Sequence, residues 1–133
     1  MPFDVRLHGL RAQPGPAKVA QRLTALLAGG PVVRSHADCG RVQDPYTLRC
    51  APQVLGAVAD ALAYIEQAIV RELDAVTDNP LVFPAGDEIL SGGNFHGQPL
   101  SLPLDHLALA ACELASFSER RTYALLSPSY AGL

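Results

Sequence analysis

Apolar residues recur at three- and four-residue steps in three stretches of this chain. Between Ala17 and Ala28 they are Val19, Ala20, Leu23, Leu26 and Leu27, the stripe of an amphipathic helix. From Pro52 onward they are Val54, Val58, Leu62, Ile65, Ile69 and Leu73, which predicts a helix of about six turns. From Leu102 to Leu126 they are Leu104, Leu107, Ala111, Leu114, Phe117 and Ala124, with Leu109 and Leu125 beside them. Pro103 is acceptable there only within the first turn. Asp105 near that start and Arg120 and Arg121 towards the end have the signs that suit the helix dipole. Gly29-Gly30-Pro31, Val76-Thr77-Asp78-Asn79-Pro80 and Ser127-Pro128-Ser129 stop the three helices in turn.

The segments between carry turn chemistry. Residues 1–16 read as loop with a short helical turn around Val5 to Leu10, and Gln13-Pro14-Gly15-Pro16 announces the first helix. Residues 30–51 read as one long connection, which is uncommon in a compact domain and usually functional. Leu81-Val82-Phe83 and Glu88-Ile89-Leu90 flank a turn at Pro84-Ala85-Gly86-Asp87 and predict a small hairpin. Tyr130 to Leu133 read as loop. The expected fold class is all-α, a segment of a long-helix bundle. Three main helices are joined by long Gly/Pro-rich loops, with a small hairpin near 81–90.

Composition changes this picture in one respect. The chain has 133 residues, enough for one core. Hydrophobic residues make up 49% and charged residues only 17%, below the usual share of about a quarter. Ala51, Ala57, Ala59, Ala61, Ala63 and Ala68 spread small side chains over several faces of the second helix, which permits close helix approach. Part of the surface is therefore expected to be covered by other subunits or segments. The net charge of -3 and the absence of a basic stripe argue against nucleic acid as a partner. The apolar stretches read as too short to span a membrane, and Met1 to Arg6 lack the apolar core of a signal peptide. Cys39, Cys50 and Cys112 form no framework and predict reduced thiols in a cytoplasmic protein. His36-Ala37-Asp38-Cys39 has loose metal-ligand spacing without a second ligand pair, so no metal is expected.

Two stretches carry candidate chemistry. Gln43-Asp44-Pro45-Tyr46-Thr47-Leu48-Arg49-Cys50 holds a carboxamide, a phenol and a guanidinium at three-residue spacing: Gln43, Tyr46 and Arg49. Pro45 fixes one backbone angle and biases Asp44 towards extended geometry. Polar groups on a loop leading into a helix are well placed for binding. The same residues also read as two surface groups and a packing phenol. Ser91-Gly92-Gly93-Asn94-Phe95-His96-Gly97 has three glycines in seven residues, which allows close approach by another chain or a ligand. Neither a Walker pattern nor a following lysine supports a phosphate cradle. Phe95 is either a core plug or a ligand-facing ring. Three helices joined by such loops are odd for an intact small domain and natural for a piece of a large helical enzyme.

These residues resemble a known family. Arg41-Val42-Gln43-Asp44-Pro45-Tyr46-Thr47-Leu48-Arg49-Cys50 and Pro52-Gln53-Val54-Leu55-Gly56 resemble blocks of the aromatic amino acid ammonia-lyases. So do Val76-Thr77-Asp78-Asn79-Pro80-Leu81, Ser91-Gly92-Gly93-Asn94-Phe95-His96 and Ser118-Glu119-Arg120-Arg121, in the same order. The likeness runs from about His8 to Leu133 and is greatest to the histidine branch. It implies elimination of ammonia from L-histidine to give trans-urocanate. The tyrosine and phenylalanine branches and the aminomutases share much of the pattern. A purely structural helical association module is the remaining alternative.

The resemblance also implies roles. Arg49 holds the substrate carboxylate, Tyr46 and Gln43 donate and accept hydrogen bonds beside the reacting groups, and Phe95 packs against substrate and prosthetic group. Asn94, His96, Asp78 and Asn79 are expected to be structural. Family members use a methylidene-imidazolone group made from an Ala-Ser-Gly tripeptide, and no Ala-Ser-Gly occurs in these 133 residues. The resemblance therefore implies that residues 1–133 are a central segment of a longer polypeptide, inactive alone. The electrophile-bearing part lies before it and a further part after it. Active sites in the family draw loops from three chains of a homotetramer.

Overall fold

The computed structural model describes residues 2–131. Among them are seven α-helices and one small hairpin. The chain is all-α with a hairpin, as expected, but the count of three main helices needs correction. Three long helices are present: α2 (Pro14–Leu27), α5 (Ala51–Leu73) and α6 (Gln98–Leu126). Four short ones accompany them: α1 (Val5–Gly9), α3 (Pro31–Ser35), α4 (Tyr46–Arg49) and α7 (Pro128–Ala131).

The stretch 30–51 is thus not a single loop, and Tyr130 and Ala131 are helical, while residues 132–133 lie outside the described residues. The extra helices are too short for a periodic stripe. Pro31 opens α3, and its missing N–H costs nothing in a first turn. The long helices also start earlier than the stripes suggested. Pro14 and Pro16 both sit in the first turn of α2. In α6, Pro103 lies inside the helix and is buried, so Asp105 stands two turns in and is no first-turn carboxylate.

α5 is the central rod, with α2 packed along it on one side and α6 on the other. Ala20, Ala51, Val58, Ile65, Ala110 and Phe117 form the buried apolar core. α2 and α5 approach through two glycines. A Cβ on Gly56 would stand 2.2 Å from the Pro16 nitrogen, and one on Gly15 would stand 2.0 Å from the Gly56 oxygen. The Gly15 N–H, one of the free donors of a helix start, donates to Asp60 Oδ2 at 3.0 Å.

α5 and α6 run antiparallel. The Tyr64 and His106 rings lie 6.0 Å apart, while Thr47 and Leu48 share a hollow with Arg121, Ala124 and Leu125. The expected α6 face is only partly realised: Ala110 is buried in place of Ala111, and Leu104 and Leu114 are exposed. β1 (Leu81–Phe83) and β2 (Glu88–Leu90) pair antiparallel with Leu81 opposite Leu90. A 3-10 turn at Pro84–Gly86 and a left-handed Asp87 join them.

By length and hydropathy alone, α5 and α6 are sufficient to cross a membrane, contrary to the expectation that no stretch is. The same two helices carry the α2–α5–α6 packing just described, which buries only 17% of each apolar window.

Candidate functional site

The site begins at Pro45. Its carbonyl accepts N–H bonds from Leu48 (2.9 Å) and Arg49 (3.0 Å), closing the single turn of α4. The Cys50 N–H then donates to Tyr46 O (2.9 Å) and the Val54 N–H to Cys50 O (3.1 Å), so α4 feeds into α5 with little break. Thr47 is buried and fixes the turn against the bundle. With Thr47 inside, the polar side chains of the turn are left to line an open face.

Two of the three expected polar residues meet. An Arg49 guanidinium N–H donates to Gln43 Oε1. Both line an open depression of about 500 Å3 together with Asp44, Cys50, Gln53, Val42, Leu7 and Pro2. Apart from its bond to Gln43, the guanidinium has further N–H groups in a fork that suits a carboxylate. Tyr46 belongs to the same turn but is 66% exposed and does not line the depression.

Phe95 is elsewhere. Its loop is tied to the far end of α5: Asn94 Nδ2 donates to Val76 O at 3.5 Å, and Ser91 Oγ and the Gly92 N–H donate to Asn79 Oδ1 at 3.0 and 2.7 Å. Asn79 in turn donates its N–H to Asp78 Oδ1 at 2.7 Å. The 23 residues of α5 span about 34 Å at 1.5 Å per residue. One chain therefore cannot bring Phe95 to Arg49. Phe95 is 62% exposed, and Cβ atoms on Gly92, Gly93 and Gly97 would meet nothing within 4 Å. The ring is not a core plug in this chain.

Sequence reasoning missed Gln53 and His8. Gln53 lies four positions after Arg49, across the Cys50 junction of α4 and α5, and lines the same depression; that close spacing was there to be read. His8 is 3% exposed and reaches Gln53 from α1 across 45 positions, a contact with no local signal. His36 is engaged locally, with Nδ1 at 3.1 Å from Val32 O. Among the described residues no group of three His, Cys, Asp or Glu side chains gathers as a metal site would need.

Residues 1–133 match the family described as aromatic amino acid lyase. The chain belongs to that family. This lyase-family chain is 53% identical over 133 residues to a histidine ammonia-lyase of Sorangium cellulosum, covering 96% of this chain and 26% of that enzyme. The crystal structure of histidine ammonia-lyase from Trypanosoma cruzi superposes with a TM-score of 0.84 at 40% identity, over 99% of this chain and 23% of that one. A phenylalanine aminomutase of Pantoea agglomerans gives 0.84 at 31% identity, over 97% of this chain and 28% of that one. The chain thus spans about a quarter of the length of the curated relatives it matches.

Proposed function

We propose that this chain is the central part of a histidine ammonia-lyase that converts L-histidine to trans-urocanate and ammonia. The observation that carries this is the Arg49 guanidinium, held by Gln43 in the lining of the depression. A planar cation held this way grips an amino acid's carboxylate through two parallel hydrogen bonds. Identity of 40% to the Trypanosoma cruzi histidine ammonia-lyase, against 31% to the phenylalanine aminomutase, favours histidine over the other aromatic substrates.

Tyr46 is the catalytic residue of this segment in our reading; Gln43, Arg49 and Phe95 bind substrate. The methylidene-imidazolone group supplies the electrophile that makes the carbon–nitrogen bond labile. With no Ala-Ser-Gly in these residues, we assign that group to another part of a longer polypeptide. Tyr46 and Phe95 fit such a neighbour, because both are open to solvent and the glycines around Phe95 leave room.

The working form is a homotetramer in this reading, supported by the exposed leucines of α6 and by the separation of Phe95 from Arg49. Neither nucleic acid nor membrane enters as a partner. Free thiols at Cys39, Cys50 and Cys112 are compatible with a cytoplasmic location.

The test is Arg49→Lys in the full-length lyase, followed by urocanate absorbance. Losing the bidentate grip raises KM for histidine by about 30-fold, corresponding to about 2 kcal/mol. The tetramer stays intact in sedimentation. Unchanged kinetics would leave only the reading of this segment as a helical association module.

A further inference from the structure

Gln53 lies between two hollows. On one side it lines the depression of Gln43 and Arg49. On the other it lines a second hollow of about 320 Å3 with His8, Arg11 and Asp60. The buried His8 ring fixes how the Gln53 amide faces. His8 Nε2 lies 3.1 Å from the Pro2 carbonyl oxygen, which only accepts, so Nε2 carries the proton. In that tautomer Nδ1 is an acceptor, and Gln53 Nε2–H donates to it across 3.4 Å. Gln53 Oε1 is thereby turned away from His8. It is buried and has no hydrogen-bond partner, alone in this among the side-chain nitrogens and oxygens of the described residues.

A buried carbonyl without a donor is unfavourable, so a partner is called for. Arg49 is four positions before Gln53, across the Cys50 junction of α4 and α5, and lines the same depression. Of its five N–H groups, Gln43 Oε1 takes one. We propose that Gln53, aimed by His8, is a positioning residue for Arg49. When the depression holds a carboxylate, Gln53 Oε1 accepts a guanidinium N–H. Gln43 and Gln53 then brace the cation from two sides and leave its outer edge to the substrate. The proposal rests on Arg49 being the carboxylate grip.

The experiment compares Gln53→Met, which keeps the length and removes the amide, with Gln53→Glu, which keeps an acceptor. Both are made in the full-length lyase. The readouts are KM and kcat for L-histidine and the Kd of trans-urocanate by calorimetry. Gln53→Met is expected to raise KM and Kd about tenfold with kcat within about twofold, and Gln53→Glu to restore both constants to within about threefold of the parent. A purely structural Gln53 would lower the unfolding midpoint and leave KM and Kd of the folded enzyme unchanged, which overturns the proposal. If Gln53→Met does not assemble, Gln53→Glu decides alone: Kd near the parent's supports the brace, and a tenfold loss overturns it. Arg49→Lys is run in parallel. Unchanged KM there sinks the carboxylate-grip reading, whereas an impaired Arg49→Lys beside an unimpaired Gln53→Met sinks the brace only.

Discussion

Asp4 caps α1 with its side chain, which no residue does at the starts of α2 to α6. Its carboxylate accepts the Arg6 N–H at 3.0 Å and caps α1, while Arg6 Nη2 lies 2.6 Å from Oδ2. The Arg6 side-chain hydrogen bond, with help from the Arg6 backbone N–H, holds this carboxyl well below the usual carboxylate range. A lowered carboxyl pKa adds stability above the unfolded value of 3.8, and that stability is lost as pH falls through the folded value. Carboxyl NMR titration is expected to find Asp4 still ionised in the acid region where exposed aspartates have protonated. Arg6→Ala is expected to return it towards its ordinary value; no movement would show that Arg6 is not the cause. At this scale the sequence was half legible. Gln43, Tyr46 and Arg49 stood out because their spacing is local. The His8–Gln53 contact did not, because it is made only when α1, packed on α2, brings His8 to the start of α5.

At the scale of elements, the decisive contact is the glycine crossing of α2 and α5. A Cβ on Gly56 would be 2.2 Å from the Pro16 nitrogen and 2.4 Å from its Cα. Both are backbone atoms, so no side chain can rotate away. Gly56→Ala is expected to destabilise the fold by about 3 kcal/mol, at the upper end of ordinary overpacking. Gly40→Ala, where a Cβ meets nothing within 4 Å, is the control expected to unfold at the same urea concentration as the parent. Equal midpoints for both variants would mean that the two helices do not meet at Gly56. The periodic stripe over Val54, Val58, Leu62, Ile65, Ile69 and Leu73 made α5 readable; burial follows it at Val58 and Ile65 but not at Leu62 and Leu73, which are exposed. α3 and α4 were unreadable for a physical reason. A helix of one turn is not stable by propensity; α4 is held by Pro45 as acceptor and by burial of Thr47, both consequences of the surrounding fold.

The whole molecule raises a question that its own length poses. Arg49 and Tyr46 stand at one end of α5, and Phe95 is tied to the other end through Val76 and Asn79. The helix of about six turns expected between the two motifs already set them apart; that the Phe95 loop stays at the far end, tied to Val76 and Asn79, was not legible. If Tyr46 and Phe95 serve one reaction, they come from different copies of the chain. Mixing then separates the alternatives. Full-length protein carrying Tyr46→Phe and protein carrying Phe95→Ala are each expected to be strongly impaired, since every site has one lesion. Co-assembled in equal amounts, a site that draws the two residues from different copies finds both intact in about a quarter of cases. Urocanate formation by the mixture is therefore expected to reach about a quarter of the parent rate, at equal tetramer content by sedimentation. A site built from one copy would carry a lesion whatever its neighbours were. A mixture no more active than the mean of the two pure variants would show that Tyr46 and Phe95 do not share a site across chains.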